Sequence, residues 1–345
     1  MAAERAPLPG LSTTAIGSLP HTQLEMALQQ AFLVDIPYLP QLPLRDPAEY
    51  MVPQALDGMP GLRFDKDGNG ALDVSEWRKG WLDARLERAI DKGEGLSQFE
   101  PQPAALAAWR PFVWEVEQRK TPLAKVQLAG PMTLRWALRT TDGKPLADLP
   151  DGAEVEAQIL RLVLARSLAM ARRLREAGAT PIVFLDEPGL VAFDRKNPRH
   201  LVALQELRVL ILALQREGAW VSVHCCGNTD WAALLALPWD IVSLDARLSL
   251  GAVLGTGEVF ARYLASGGIL GLGIVPTNIV PGAIVNPAKE LEAMLSAVPA
   301  ALELAAPGLL ARCLLTPACG LALRSVMDAE GILERLREGQ RRLRG

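Results

Sequence analysis

The feature that most constrains the fold is an alternation of short apolar runs with longer amphipathic segments. Eight runs are predicted to be strands, at 13–17, 35–39, 125–129, 182–186, 221–225, 241–245, 269–275 and 313–316. Most of them are apolar throughout, which is typical of strands buried on both faces of a parallel sheet. Helices are predicted at 155–177, with Gly178 as C-terminal cap, and at 201–216, 288–297 and 329–343. This order predicts an α/β protein with a (β/α)8 TIM-barrel fold.

Residues 40–119 interrupt the alternation after the second predicted strand and are rich in Pro, Trp and charge. We expect them to form a lobe over the barrel mouth. The 345 residues would then be a single domain, since one barrel with a long insertion reaches this length.

Bulk composition excludes several classes of protein. The net charge of −3 and a pI of about 5.8 give no basic face for nucleic acid. No apolar run reaches the ~18 residues of a membrane span, and the first residues lack the apolar core of a signal peptide. We therefore expect a cytoplasmic protein without a membrane partner, in which the four cysteines are free or bound to metal.

Two strand ends carry candidate metal ligands. His224 and Cys226 are two residues apart, so on a strand they would face the same side, while Cys225 would face the other side and pack. Cys319 follows the last apolar run and precedes a glycine. One imidazole and two thiolates suit zinc. A cysteine is more often a core residue, and His-x-Cys lacks the paired spacing of zinc fingers, but chemistry in barrels gathers at these strand ends.

Carboxylates end two other predicted strands. Asp186 and Glu187 would face opposite sides, and a buried carboxylate needs a partner, so we expect Asp186 to bind a substrate ammonium. Glu187 fits an N-cap of the following helix. Asp245 is either a fourth zinc ligand or the salt-bridge partner of Arg247.

Gly17 and Ser18 end the first predicted strand. Their backbone N–H groups could receive a substrate carboxylate, whereas the alternative is a strand-to-helix turn with a capping serine.

The segment 65–76 matches the calcium-binding loop of an EF-hand. Its ligand positions are Asp65, Asp67, Asn69, the carbonyl of Ala71, Asp73 and Glu76. Residues 59–62 are unsuited to end a helix, because they include Pro60 and Gly61. Two interpretations stay open: half of an EF-hand with a structural calcium ion, or a hairpin with a glycine-rich turn.

Taken in order, these motifs resemble the catalytic C-terminal barrel of cobalamin-independent methionine synthase. That superfamily also contains uroporphyrinogen decarboxylase and the coenzyme M methyltransferases. The resemblance covers nearly the whole chain, through 16–20 (IGSLP), 46–50 (DPAEY), 56–58 (LDG), 128–136 (LAGPMTLRW), 186–188 (DEP), 224–226 (HCC), 240–245 (DIVSLD) and 317–321 (PACGL).

This resemblance implies a zinc-dependent transfer of a methyl group to a thiol, giving methionine from homocysteine. His224, Cys226 and Cys319 match the zinc ligands, and Asp245 stands where the family has a ligating Glu. By the same resemblance, Asp186 and Glu49 would hold the homocysteine ammonium, and the backbone of Ser18 would meet its carboxylate. Asp186 and Asp245 are the expected catalytic carboxylates.

The resemblance also bears on the methyl donor. Full-length synthases carry a second barrel, and shorter members of the family resemble enzymes that take the methyl group from methylcobalamin or a corrinoid protein, which is the donor we expect. Trp136 resembles a position that stacks on folate, so methyltetrahydrofolate stays open, as does coenzyme M as the thiol. Two other classes remain: a metal-free decarboxylase of tetrapyrroles, whose Arg-rich N-terminal signature is missing, and a non-catalytic corrinoid- or calcium-binding module.

Overall fold

Two sheets organise the chain in the computed structural model, which describes residues 4–80, 82–277 and 287–345. The strands are β1 (Leu62–Phe64), β2 (Gly70–Leu72), β3 (Leu123–Ala129), β4 (Arg139–Thr140), β5 (Thr180–Asp186), β6 (Trp220–Cys225), β7 (Ile241–Asp245), β8 (Ile269–Val275) and β9 (Leu314–Pro317). A small sheet has the order β1-β2-β4, and a six-stranded sheet has the order β3-β5-β6-β7-β8-β9.

Every pair of neighbours in the six-stranded sheet is parallel, as expected from apolar strands separated by helices. The register aligns the carboxyl ends of the strands. Asp186 on β5 lies opposite His224 on β6, which lies opposite Ser243 on β7. The polar side chains that end these strands are therefore neighbours.

Helices connect the strands and cover the sheet. They are α1 (Leu24–Ala31), α2 (Met51–Ala55), α3 (Val74–Arg78), α4 (Leu82–Lys92), α5 (Trp109–Gln118), α6 (Pro131–Ala137), α7 (Gly152–Glu176), α8 (Pro198–Arg216), α9 (Trp231–Leu235), α10 (Ala246–Leu254), α11 (Glu258–Ala265), α12 (Pro287–Ala305) and α13 (Val326–Arg344). The four predicted helices correspond to α7, α8, α12 and α13. Gly178 follows α7 with φ +88°, a left-handed conformation that suits glycine at a helix end. Among the helices of the described ranges, none combines the length and apolar character that crossing a bilayer requires.

Six of the eight predicted strands are present with nearly the predicted bounds, and the first two are not strands. Their residues make isolated parallel bridges instead, from Thr13 to Leu315 on β9, from Tyr38 to Lys125 on β3, and from Ser18 to Gln41. Pro37 and Pro40 interrupt the second segment and have no N–H to donate to a ladder. The observed fold is thus a mixed α/β fold with a curled six-stranded parallel sheet, which is compatible with a TIM-like barrel.

The predicted lobe, residues 40–119, is tied to the rest of the chain by one buried cation. Arg166 on α7 is 3% exposed and donates hydrogen bonds to the carbonyl oxygens of Gln54, Ala55, Asp57 and Phe99. Since each acceptor is a main-chain oxygen, the contact fixes the path of the insertion against the helix layer. Helix α7 in turn packs against β5.

Candidate metal centre

Three soft side chains converge at the carboxyl end of the sheet. A ligand atom from each of His224, Cys226 and Cys319 lies within 4.8 Å of the others, and among the described residues this is the one such group of His, Cys, Asp or Glu. His224 is the penultimate residue of β6, Cys226 comes directly after that strand, and Cys319 comes two residues after β9. This group can hold a metal ion, and its mixture of nitrogen and sulfur is compatible with zinc.

The imidazole of His224 is held in an orientation that suits a metal ligand. Its Nδ1 lies 3.0 Å from Ser243 Oγ, whereas its Nε2 is buried and has no hydrogen-bond partner among the described residues. A hydrogen bond at one ring nitrogen fixes the tautomer and leaves the lone pair of the other nitrogen free for a metal. Ser243 therefore orients the imidazole from the neighbouring strand β7.

The two thiols influence each other. The neighbouring Cys319 lowers the pKa of Cys226, whereas Cys226 and burial raise the pKa of Cys319. Cysteine ligates metal as the thiolate. Cys225 differs, since it is buried in the hydrophobic core and burial raises its pKa to about 11. It packs on the opposite side of the strand, as the alternation of side chains predicts.

The three candidate ligands open onto a cavity of about 280 Å³. Its wall comes from the ends of several strands, from the turn after Cys319 and from the insertion. Besides the three ligands, the lining residues are Ile16, Ser18, Gln41, Pro43, Glu49, Tyr50, Met51, Asp186, Pro188, Gly320, Ala322 and Leu323. Most of this wall is apolar, with a few polar groups near the ligands, as in many small-molecule sites.

Asp186 lines this cavity with a buried carboxylate. The residue is 8% exposed, and its Oδ1 has no hydrogen-bond partner among the described residues. Burial raises its pKa to about 6, although the neighbouring charges of His224 and Lys125 act in the opposite direction. An unsatisfied buried carboxylate oxygen is costly, and a cationic ligand would satisfy it.

The sequence suggested that Glu187 is the N-cap of the following helix, but its side chain makes no capping hydrogen bond there. Its side chain turns back and accepts hydrogen bonds from the backbone N–H groups of Met132 and Thr133 and from the Thr133 hydroxyl. These donors stand at the start of α6, whose N-terminal amide groups need acceptors. Glu187 is fully buried, and burial raises its pKa to about 7. It is a structural carboxylate that does not line the cavity.

Asp245 begins α10. Its Oδ1 accepts hydrogen bonds from the backbone N–H groups of Arg247 and Leu248, so it is the N-cap of that helix. The guanidinium of Arg247 lies 3.9 Å from Glu290 instead. Asp245 is 3% exposed, burial raises its pKa, and His224 contributes a lowering charge, so the carboxylate is close enough to the centre to sense it. It is not among the three clustered ligands.

Glu49 and Ser18 also line the cavity. Glu49 accepts hydrogen bonds from the backbone N–H groups of Leu42 and Ala107, and Arg45 lies 3.6 Å from it. Ser18 lies against Gly320, where an added Cβ would come within 2.3 Å of the Ser18 Oγ. That close approach places the Ser18 turn directly beside the turn that carries Cys319.

Trp136 lies outside the metal cavity. Its ring is 4.5 Å from that of His200, and it lines a separate cavity of about 280 Å³ together with Arg135, Arg139, Arg199 and Glu156, among others. The predicted substrate-binding residues are therefore divided between two cavities.

The segment 65–76 spans the turn of a hairpin, strand β2 and the first residues of α3. Strands β1 and β2 pair across it, and Gly68 has φ +75° in the turn. Asp65 Oδ1 accepts from the N–H groups of Asp67 and Asn69, and Asp73 caps α3. A strand, not a helix, leads into the loop, although the helix that follows begins where an EF-hand would place one.

Several residues of the site were missed by sequence reasoning, among them Ser243, Gln41 and Lys125. Lys125 and Gln127 stand two apart within an apolar strand and are fully buried. Their alternation inside that strand was the available signal, since polar residues two apart on a buried strand share one face.

Comparisons with known proteins bear on the fold. No protein-family model and no curated protein matches the chain. Among solved structures, a methyltransferase from Methanosarcina mazei is similar over 98% of this chain and 96% of that chain, with a TM-score of 0.61 and 13% sequence identity. At this level of identity the similarity establishes the overall fold.

Proposed function

We propose that this protein is a zinc-dependent methyltransferase that methylates a thiol, with homocysteine as the substrate and methionine as the product. One observation carries the proposal: His224, Cys226 and Cys319 meet in one cavity beside a buried carboxylate oxygen that has no partner. The similarity in fold to a methyltransferase from Methanosarcina mazei supports methyl transfer as the reaction class. We also propose that the fold is a (β/α)8 barrel in which the two bridged segments take the places of the first two strands.

Different residues of the cavity would bind different groups of the substrate. Bound zinc would lower the pKa of the substrate thiol, ordinarily about 8.5, so that the sulfur is a thiolate at neutral pH. Asp186 offers its free Oδ1 to the ammonium group, with Glu49 as a second carboxylate on the same cavity. Ser18 lies where the substrate carboxylate would end. Asp245 is the proposed fourth ligand, and Ser243 keeps His224 oriented.

The apolar remainder of the wall has its own role. Pro43, Met51 and Leu323 surround the polar groups and would exclude water from the reacting sulfur and methyl group. Fixing the thiol in a dry cavity aligns it for in-line attack, and orientation of this kind contributes several kcal/mol to catalysis, up to roughly 10 kcal/mol.

For the donor, we propose methylcobalamin or a methylated corrinoid protein. A folate donor is the second candidate, and the second cavity favours it. Trp136 and His200 offer ring faces there, and Arg139 offers positive charge for an anionic donor, whereas Arg135 and Arg199 are paired with Glu206 and Glu156.

The decisive experiment combines metal analysis with an assay of methyl transfer. The purified protein should contain about one zinc per chain, as expected for one cluster of three ligands. It should methylate homocysteine from methylcobalamin, with methyltetrahydrofolate as the comparison donor and coenzyme M as the comparison thiol. Zinc near zero with tetrapyrrole turnover would point to a decarboxylase instead. Zinc without turnover of any thiol would indicate a non-catalytic binding module.

Calcium binding by the loop at 65–76 is a separate structural proposal. A calorimetric titration with Ca²⁺, repeated on Asp65→Ala, tests it, and heat that is the same in both proteins would refute it.

A further inference from the structure

A buried lysine lies below the floor of the metal cavity. Lys125 on β3 is 0% exposed, and its Nζ donates hydrogen bonds to the carbonyl oxygen of Ile16 at 2.6 Å and to Gln127 Oε1 at 2.9 Å. The same Nζ lies 4.4 Å from the ring centroid of Phe184. These three contacts are all with neutral groups. A lysine is almost never fully buried unless it is paired, so its place here needs an explanation.

The opposite charge available to Lys125 is that of Asp186. Burial lowers the pKa of Lys125 to about 7 and raises that of Asp186 to about 6, and the charge of each group acts on the other in the opposite direction. On the sheet, Lys125 pairs with Ile182, four residues before Asp186, so the lysine approaches from the amino-terminal side of the strands. Asp186 lines the metal cavity and Lys125 does not. A substrate ammonium would therefore reach the carboxylate from above while Lys125 remains below.

The hydrogen bonds of Lys125 also hold the other end of the proposed substrate site. Ile16 immediately precedes Gly17 and Ser18. Gln127, which accepts from Lys125, donates from Nε2 to the carbonyl oxygen of Leu39 at 2.7 Å. It packs so closely on Gly17 that an added Cβ there would come within 2.1 Å of the amide. Lys125 and Gln127 thus fix the turn that presents Ser18 to the cavity.

We propose that Lys125 is a positioning residue for the amino-acid end of the substrate. It acts by holding the main chain of residues 16–18 in place, through its own hydrogen bond to Ile16 and through Gln127. This inference rests on the proposed function, because it assumes a thiol that carries both an ammonium and a carboxylate. It adds a specificity role: Lys125 makes the cavity select an amino-acid thiol over a simple alkanethiol.

The test measures thiol binding in the metal-loaded protein. Binding of homocysteine and of propane-1-thiol is followed by calorimetry and, after reconstitution with Co²⁺, by the change in the visible spectrum when a thiol joins the metal. The variants are Lys125→Met, which keeps the length of the side chain without its charge, and Lys125→Arg, which keeps the charge. Metal content and melting temperature are recorded for each.

In Lys125→Met we expect the dissociation constant of homocysteine to rise about ten- to a hundredfold, the range for losing hydrogen bonds and charge at a buried site. The dissociation constant of propane-1-thiol should change less than about twofold, because this thiol binds through the metal alone. Lys125→Arg should recover part of the loss. The ratio of the two thiols is measured within one variant, so a general loss of stability does not imitate the result.

Two outcomes would overturn the role of Lys125 alone: equal weakening of both thiols in Lys125→Met, or an unchanged preference for homocysteine. If the zinc-loaded wild type binds neither thiol, the proposed function itself fails. That result is distinguishable, because it appears before any variant is made.

Discussion

The substitution Asp186→Asn distinguishes a role in substrate binding from a role in folding. We expect it to weaken homocysteine binding and to raise the free energy of unfolding. In the free protein, Asp186 Oδ1 is buried in the cavity wall without a hydrogen-bond donor. A substrate ammonium would provide one, and a hydrogen bond to a charged group contributes about 1.5–3 kcal/mol. At about 1.4 kcal/mol per tenfold, the dissociation constant of homocysteine should rise about ten- to a hundredfold in the variant. Zinc content should not change, since Asp186 is not one of the clustered ligands.

The same substitution should stabilise the fold. Burial raises the pKa of Asp186 from 3.8 to about 6, so ionising it costs the folded state about 3 kcal/mol at pH 8, with 1.36 kcal/mol per pH unit. Because the folded-state pKa is the higher one, this group's contribution to stability is complete below pH 3.8 and is lost as pH rises through about 6. The substitution also deprives Lys125 of the Asp186 charge. We therefore expect a net gain of only about 1 kcal/mol, measured by urea unfolding at pH 8.

Glu187→Gln is the control, since the neighbouring carboxylate is also buried but accepts hydrogen bonds from α6 and does not line the cavity. Its free energy of unfolding at pH 8 should stay within about 1–2 kcal/mol of wild type, because removing a buried charge whose pKa is raised to about 7 offsets the loss of a charged acceptor of three hydrogen bonds. Its dissociation constant for homocysteine should stay within about twofold of wild type. If Asp186→Asn binds homocysteine as tightly as wild type, or if both variants lose affinity equally, the assignment of Asp186 to the ammonium is wrong.

Three further predictions test the centre and the turn beside it. Cys226→Ser and Cys319→Ser should each lose most of the bound zinc and all methyl transfer, whereas Cys225→Ala should keep its zinc and lose about 1–2 kcal/mol of stability, as judged by metal analysis and urea unfolding. Gly17→Ala should cost about 2 kcal/mol, because Gly17 has φ +143° and a Cβ would collide with Gln127; an unchanged melting temperature would contradict this. Homocysteine binding to wild type should weaken as pH falls through about 6, where Asp186 takes up a proton, and calorimetry should find that step missing in Asp186→Asn.

The strands of the six-stranded sheet could be predicted from the sequence, because an apolar run indicates a strand that is buried on both faces. Ile241–Asp245 and Ile269–Val275 have the predicted bounds, since each is a short, mainly apolar run between polar turns. The first two predicted strands were wrong for a backbone reason. Pro37 and Pro40 remove donors, and Gly17 turns the chain at positive φ, so these segments make single bridges in place of ladders.

The centre itself was predictable in part, because His224, Cys226 and Cys319 each end an apolar run and strand ends meet at one edge of a parallel sheet. The different roles of the adjacent carboxylates Asp186 and Glu187 were harder to predict. Sequence alternation assigned only one of Asp186 and Glu187 to the cavity, which the structure shows, but the hydrogen bonds of Glu187 to α6 depend on a contact across more than 50 residues. Which way a side chain turns at a strand end is decided by such tertiary donors.

The polar groups inside the sheet connect these two observations. Lys125, Gln127, Ser243 and His224 are all buried on strands that read as apolar, and each is at odds with the local pattern. A buried polar side chain destabilises the fold unless its hydrogen bonds are satisfied, so such residues tend to be found at functional sites. Here the hydrogen bonds run from Lys125 to the turn at Ser18 and from Ser243 to His224. The polar residues that depart from the apolar pattern of these strands therefore include one candidate ligand, His224, and the side chains that hold it and the turn at Ser18 in place.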